Sequence, residues 1–134
     1  MKILVAEDDT TSALILKKIL TKAAYNVTIA HNGTEALAAI KQKAFDVLLT
    51  DWLMPEMDGI ELIRRIRKSI SPVPIIIVIT ALVSDEARIH ALAAGADDYL
   101  GKPYQAKELL DLLGNCFNRK HKPVPSHPEI SVSP

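Results

Sequence analysis

The chain has 134 residues, of which 49% are hydrophobic and 24% charged, a composition typical of one globular domain and not of a disordered or fibrous chain. Its 16 basic and 16 acidic residues give zero formal net charge, so overall charge does not favour nucleic acid or an anionic membrane as a partner. The single Cys116 cannot form an internal disulfide, and the longest uncharged stretch, residues 69–84, is too short to span a membrane. We therefore expect a soluble domain in the cytoplasm.

Apolar runs and amphipathic segments alternate along the chain. Short runs rich in β-branched residues predict five strands, at residues 3–6, 27–30, 47–50, 75–79 and, more weakly, 99–101. Helical periodicity between and after them predicts five helices, at residues 10–24, 34–43, 59–69, 84–94 and 105–117. This order predicts a flavodoxin-like, doubly wound α/β fold, in which helices cover both faces of a five-stranded parallel sheet of strand order 2-1-3-4-5.

The character of the sequence changes near residue 118. Residues 119–122 are all basic or histidine, and the prolines that follow interrupt a segment without apolar periodicity. We predict that residues 1–118 form the folded domain and that residues 119–134 are a flexible, proline-rich tail or a linker to a further domain.

Charged and hydroxyl side chains follow four of the predicted strands, at the sheet edge where ligands bind in this type of fold. They are Glu7, Asp8 and Asp9 after the first strand, Asp51 after the third, Thr80 at the end of the fourth and Lys102 after the fifth. Several carboxylates in one pocket repel each other, and a divalent cation and a lysine would offset that repulsion. Oxygen ligands of this kind suit Mg²⁺. Taken singly, an acid at this place is commonly a helix cap, and we expect that role for Asp9 and Asp58.

Four separated motifs carry a resemblance to a known family: Ile-Leu-Val-Ala-Glu-Asp-Asp at 3–9, Asp-Trp-Leu-Met-Pro-Glu-Met-Asp-Gly at 51–59, Ile-Thr-Ala at 79–81 and Gly-Ala-Asp-Asp-Tyr-Leu-Gly-Lys-Pro at 95–103. With these motifs the chain resembles the receiver domain of two-component response regulators from residue 2 to about residue 118. None of the four motifs is visibly degraded.

The resemblance implies a role for each site residue. Asp51 matches the aspartate that accepts a phosphoryl group from a kinase phosphohistidine. The implied ligands of Mg²⁺ are Glu7, Asp8, Asp51 and the backbone carbonyl of Leu53, with Asp8 binding directly and Glu7 through a water molecule. Lys102 and Thr80 match the residues that contact the phosphoryl oxygens, and Thr80 and Tyr99 match the switch residues. The Lys102–Pro103 peptide is cis in relatives, and no organic cofactor is implied.

The implied function is a phosphorylation-activated signalling switch that catalyses its own phosphorylation and slow dephosphorylation, and not a turnover enzyme. The implied partners are a sensor histidine kinase or phosphotransfer protein and an effector domain after the tail, with no membrane and no direct binding of nucleic acid. The responding surface consists of the fourth helix, fifth strand and fifth helix.

A homodimer through that surface is a further alternative. Arg88, Asp97, Asp98, Glu108 and Arg119 resemble the charges through which transcriptional regulators dimerise. Leu112, however, stands where that subgroup usually has an arginine.

Two positions that flank the path of attacking water in this family, Leu53 and Leu82, are apolar here. Neither side chain can orient a water molecule, and we expect slow hydrolysis of the phosphorylated state; the alternative is that both leucines only cover the rim of the pocket. We expect Trp52 beside the site to be a packing residue. The four histidines show no metal-ligand spacing, and we expect them at the surface.

Two other functions fit the same fold. A flavodoxin-like cofactor binder needs a loop of phosphate-binding amides after the first strand, where this chain has Glu7 and Asp8. An aspartyl-phosphate hydrolase typically has a second acid two residues after its nucleophile, where this chain has Leu53.

Overall fold

The structure is a computed structural model that describes residues 1–121. Strands and helices alternate along these residues as the sequence predicts. The strands are β1 Lys2–Ala6, β2 Asn26–Ala30, β3 Val47–Thr50, β4 Ile75–Thr80 and β5 Asp98–Gly101. The helices are α1 Thr10–Lys22, α2 Gly33–Gln42, α3 Gly59–Ser69, α4 Asp85–Ala94 and α5 Ala106–His121.

All five strands pair in parallel, in the order β2-β1-β3-β4-β5, which confirms the predicted fold. The pairing places Ala6 beside Thr50 and Thr80 beside Gly101, so the carboxyl ends of β1, β3, β4 and β5 meet along one edge. The residues that directly follow these ends therefore lie on the same rim of the molecule.

The central strands are buried on both faces, because each face of the sheet carries its own apolar cluster. Leu4, Leu48 and Ile76 pack with side chains of α2, α3 and α4. The alternate residues of the same strands, such as Val5 and Ile77, pack with α1 and α5. Cys116 of α5 belongs to this second cluster, as expected for a small buried hydrophobe.

Two helix ends differ from the predicted bounds by two residues or more, and the other bounds agree within one residue. α1 ends at Lys22 and not at residue 24, because Ala24 adopts a positive φ of 71° and the Tyr25 N–H turns back to the carbonyl of Leu20. α5 extends to His121, past the expected end at residue 117. Residues 122–134, most of the predicted tail, lie outside the described residues.

Side chains of Asp and Ser cap the helices that follow the site strands. Asp9 accepts the Ser12 N–H at 2.8 Å, and Asp58 accepts the Glu61 N–H at 2.9 Å. Both aspartates are therefore helix caps, as predicted. Ser84 caps α4 in the same way.

α4 is the helix with the weakest hold on the core, because its only buried residue is Ala91. Its C-terminal end is fixed by Arg67 of α3, whose guanidinium donates to the carbonyl of Gly95 and to Asp97. The Asp97 carboxylate also accepts the Ile76 N–H at 2.8 Å. α4 is thus anchored at one end and carries exposed Val83, Ile89 and Leu92 at or near its surface.

Within residues 1–121, no helix is both long and apolar enough to cross a membrane.

Candidate functional site

Three of the predicted metal ligands meet at the carboxyl ends of β1 and β3. One carboxylate oxygen from each of Glu7, Asp8 and Asp51 lies within 4.8 Å of the other two. Glu7 is 2% exposed, Asp51 is half-buried and Asp8 is exposed. The cluster therefore extends from the protein interior to the surface, which is the arrangement that a small ligand arriving from solvent requires.

Lys102 brings a positive charge into this cluster from the loop after β5. Its Nζ lies 2.7 Å from Glu7 Oε1 and 3.0 Å from Asp51 Oδ2. The peptide bond between Lys102 and Pro103 is cis, as expected. One ammonium group thus bridges the buried acid and the predicted phosphoryl acceptor.

The pKa values within the cluster follow from burial and from these charges. Burial raises the pKa of Glu7, the Asp51 carboxylate adds to the increase, and the hydrogen bond from Lys102 opposes it. For Lys102, burial alone would lower the pKa, but hydrogen bonds to Glu7 and Asp51 outweigh it and the pKa is raised. Lys102 is therefore firmly cationic, whereas Glu7 carries its charge at a cost in free energy.

Backbone groups of the following loop orient the Asp51 carboxylate. Its Oδ1 accepts the Trp52 N–H at 2.6 Å, and the Leu53 N–H lies 3.4 Å from the same oxygen. The Gly59 N–H in turn donates to the Trp52 carbonyl at 2.7 Å. A Cβ on Gly59 would lie 2.2 Å from the Asp51 carbonyl oxygen, so the start of α3 requires glycine here.

The cluster fits a hard divalent cation. Its side-chain ligands are all carboxylate oxygens, which Mg²⁺ prefers over nitrogen and sulfur. Three carboxylates facing one ammonium group leave two negative charges, the number that a divalent ion neutralises. The role of the Leu53 backbone carbonyl stays a prediction, and the Leu53 side chain is 58% exposed.

The two predicted switch residues lie on the neighbouring strands. Thr80, at the end of β4, is 1% exposed, and its Oγ1 lies 3.4 Å from the Leu82 N–H. The Tyr99 hydroxyl of β5 is buried and has no hydrogen-bond partner among the described residues. Burial, with the Asp51 charge as a second cause, raises the pKa of Tyr99. The Tyr99 side chain thus packs against the apolar cluster of α2, α3 and α4, with its hydroxyl group buried.

One contact near the site has no signal in the sequence. The Trp52 and His90 rings meet edge to face, with centroids 5.3 Å apart and an interplanar angle of 88°. His90 is exposed, as expected of the histidines, and Trp52 is the packing residue that we expected. Helical periodicity does place His90 on α4, but it does not indicate that His90 contacts a side chain of the loop between β3 and α3.

The fold and the site together define a class of protein: an α/β domain that holds an acidic cluster and a lysine at the carboxyl ends of its strands. The family of the response regulator receiver domain matches residues 3–114. The chain belongs to this family, whose members act in phosphorylation-based signalling and bind Mg²⁺ at an acidic pocket.

Relatives and solved structures agree with this family. The chain is 43% identical over 133 residues to the response regulator MprA of Mycobacterium avium, covering 99% of this chain and 58% of MprA. It thus spans little more than half the length of that relative. The Francisella response regulator 1452 receiver domain superposes with a TM-score of 0.83 at 38% identity, covering 89% of this chain and 98% of the other.

A second similar structure contains a metal ion. The receiver domain of the sensor histidine kinase PA1611 from Pseudomonas aeruginosa has a TM-score of 0.78 and 32% identity, covering 85% of this chain and 94% of the other. Magnesium is coordinated in the active-site cleft of that structure.

Proposed function

We propose that the chain is the phosphorylation-activated switch of a two-component phosphorelay, in which Asp51 accepts a phosphoryl group from a phosphohistidine. The observation that carries the proposal is the position of Lys102, whose Nζ lies 2.7 Å from Glu7 and 3.0 Å from Asp51. Glu7 and Asp8 beside Asp51 complete a site for Mg²⁺. The donor is a sensor histidine kinase or a phosphotransfer protein.

The chemistry requires few groups from the protein. A carboxylate oxygen of Asp51 attacks phosphorus, the P–N bond to the donor imidazole breaks, and an acyl phosphate forms. Such a transfer needs in-line positioning and neutralisation of charge on the phosphoryl oxygens. The Trp52 N–H holds the Asp51 carboxylate in position, and Lys102 supplies positive charge. Mg²⁺ held by Glu7, Asp8 and Asp51 would supply the rest.

An apolar groove beside Lys102 offers a docking surface for the donor. The groove is lined by Ile15 and Ile19 of α1 and by Ala81, Pro103 and Tyr104. Because Lys102 lines the same groove and contacts Asp51, a protein seated there brings its phosphohistidine to the site. We propose this groove as the contact surface for the phosphohistidine-bearing partner.

The response follows from the charge that phosphorylation adds. The modified Asp51 carries roughly one to two negative charges in place of a carboxylate. Thr80 can donate its hydroxyl to the new oxygens, and the position of Tyr99 is coupled to that movement. The outcome is a shift between two packings of α4, β5 and α5, which passes the signal to a partner or an output domain.

The output lies beyond this domain. Because the chain spans 58% of the length of MprA, we propose that an effector domain follows the tail. Residues 119–134 contain three basic residues and one acidic residue, a net charge of +2, which leaves −2 on residues 1–118. We therefore propose no direct binding of nucleic acid by residues 1–118.

A homodimer through α4, β5 and α5 is the second arrangement, and it has less support. Asp97, one of the expected dimer charges, already binds Arg67 and the Ile76 N–H within the chain. The side chain of Arg119, another of these charges, is outside what the structure describes. Val83, Ile89 and Leu92 leave an exposed apolar surface on this face.

The central test is incubation with acetyl phosphate and Mg²⁺, followed by intact mass measurement. The wild-type chain is expected to gain one phosphoryl group and Asp51→Asn none, because the amide is not a nucleophile. Asp46→Asn, at a carboxylate that binds the Lys2 N–H away from the site, is the matched control and should gain the group normally. A wild-type chain that stays unmodified with every donor would contradict the proposal.

The lifetime of the phosphorylated state is a separate prediction. Leu53 and Leu82 are 58% and 37% exposed, so polar side chains at these positions would reach solvent beside Asp51. Leu53→Asn together with Leu82→Glu is expected to speed dephosphorylation by about tenfold or more, since a positioned base contributes about 10²-fold or more to such a step. The decay of the phosphorylated mass over time measures it. Equal decay rates in the two proteins would show that both leucines only cover the pocket rim.

We propose that the protein acts as a switch and not as a turnover enzyme. An aspartyl-phosphate hydrolase would need a second acid near Asp51 in the position of Leu53, and a flavin binder would need amides in the position of Glu7 and Asp8. Rapid steady-state phosphatase turnover or flavin retained on purification would favour those alternatives.

A further inference from the structure

We propose that the contact between Trp52 and His90 connects Asp51 directly to α4, in addition to the connection through Thr80 and Tyr99. Trp52 is then a positioning residue for Asp51, and His90 is the residue through which the position of α4 reaches it. The inference rests on the proposed function, because it concerns how phosphorylation of Asp51 changes α4.

The Trp52 end of the connection is fixed to the site by its backbone. The Trp52 N–H donates to Asp51 Oδ1 at 2.6 Å, and the Trp52 carbonyl accepts the Gly59 N–H at 2.7 Å. The ring is half-buried and packs against the apolar cluster beneath α3 and α4. A shift of the Asp51 carboxylate therefore moves the peptide that carries the Trp52 ring, and a shift of the ring moves the Asp51 hydrogen bond.

The His90 end lies on the helix that is held least firmly. Ala91, the neighbour of His90, is the only residue of α4 that is buried, and Arg67 holds the helix at its C-terminal end through Gly95. The edge-to-face geometry of the Trp52 and His90 rings, at 5.3 Å and 88°, is a favourable aromatic arrangement. This contact thus joins the middle of α4 to the loop between β3 and α3.

The connection uses residues other than the predicted switch residues. Thr80 lies on β4 and Tyr99 on β5, whereas Trp52 belongs to the loop between β3 and α3. Coupling between two sites is reciprocal. A partner that holds α4 should therefore change how readily Asp51 is phosphorylated, through the same contact that carries the signal outward.

The test measures hydrogen exchange in α4 before and after phosphorylation by acetyl phosphate and Mg²⁺. The proteins are the wild-type chain, His90→Ala, His90→Phe and His31→Ala. His90→Phe keeps an aromatic ring for the contact. His31→Ala removes an exposed imidazole elsewhere and is the matched control, since it is the backbone N–H of His31 that donates to Glu35, and the substitution keeps that group.

Intact mass fixes the fraction phosphorylated in each sample. When the same fraction of each protein is phosphorylated, the change in amide hydrogen exchange of α4 should be roughly twofold to tenfold smaller in His90→Ala than in the wild type. This range corresponds to the free energy of one aromatic pair. His90→Phe should restore the change, and His31→Ala should match the wild type. Trp52 is the single tryptophan of the chain, so its emission should shift in His90→Ala and not in His31→Ala.

An unchanged α4 response in His90→Ala at equal mass gain would overturn the inference and leave the proposed function intact. Failure of His90→Phe to restore the response would also overturn it, because the ring contact would then not be the cause. A wild-type chain that gains no mass would contradict the proposed function, and this inference with it. The mass measurement distinguishes these cases.

Discussion

Glu7 shows how the site and the stability of the domain oppose each other at a single residue. Its side chain is 2% exposed, yet it must be ionised to bind a cation. Burial raises its pKa, and the nearby Asp51 charge raises it further despite Lys102. An acid whose pKa is raised on folding contributes stability at pH values below its unfolded pKa. That contribution is lost as the pH rises through the folded pKa.

At the scale of a single residue, we predict the effect of Glu7→Gln in the metal-free protein. Gln resembles the protonated acid and removes the cost of the buried charge, so the variant should unfold at a higher urea concentration than the wild type at pH 7. The difference should disappear as the pH falls to about 3, below the ordinary pKa of a glutamate, where Glu7 is protonated in both the folded and the unfolded chain. Urea unfolding at the two pH values measures it, and exposed Glu56→Gln is the matched control. A lower midpoint for Glu7→Gln at pH 7 would mean that its pair with Lys102 outweighs burial.

Residue identities at the site could be predicted from the sequence, but their environments could not. The position of Glu7, Asp51 and Lys102 after parallel strands predicts that they lie close together, and they do. Nothing in the sequence indicates that the Tyr99 hydroxyl is buried without a partner or that His90 reaches Trp52. Both depend on how side chains from distant parts of the chain pack.

At the scale of elements, the start of α3 is fitted closely to the site. Gly59 begins the helix, and a Cβ there would lie 2.2 Å from the Asp51 carbonyl oxygen and 3.0 Å from the Trp52 Cα. Both neighbours are backbone atoms, so no side-chain rotation can relieve the contact. The loop that carries Asp51 and the helix that follows it are therefore closely fitted to each other at Gly59.

At the scale of elements, we predict opposite changes in stability when two helical glycines are replaced by alanine. Gly59→Ala should destabilise the domain by about 1–3 kcal/mol through overpacking, and should slow phosphorylation by displacing Asp51. Gly114→Ala in α5 has nothing within 4 Å of its added Cβ and should stabilise by about 0.5–1 kcal/mol. Urea unfolding and the rate of mass gain with acetyl phosphate measure the two effects. Equal stability changes at both positions would show that helix propensity, and not the close approach, decides the outcome.

Element types and order could be predicted well from periodicity, and element ends less well. The end of α1 depends on a positive φ at Ala24. Alanine rarely adopts this conformation, so the sequence does not indicate it. The cap residues Asp9 and Asp58 have a local signal, because a short polar side chain before an apolar helical pattern is typical of a helix start.

At the scale of the whole molecule, metal binding and folding stability are linked. The acids of the cluster come from two strands and their loops, so the site exists only in the folded chain. A ligand that binds only the folded state stabilises it by mass action.

At the scale of the whole molecule, we predict that Mg²⁺ raises the midpoint of thermal unfolding. At ten times its dissociation constant the ion should stabilise the domain by about 1.4 kcal/mol. For a domain of this size that is an increase of about 5 °C in Tm. Asp8→Asn, which removes the exposed ligand, should lose most of the increase. An equal increase in Asp8→Asn would place the ion elsewhere.

The order of the strands has a consequence for partly opened forms of the molecule. The acids follow β1 and β3 in the interior of the sheet. Lys102 follows β5, which within residues 1–121 pairs only with β4, at the margin of the sheet. Peripheral strands detach at lower free energy than central ones. A chain whose outermost strand has come away would keep its anionic half and lose its ammonium group, and so could still capture a divalent ion while being unable to complete the phosphorylation reaction.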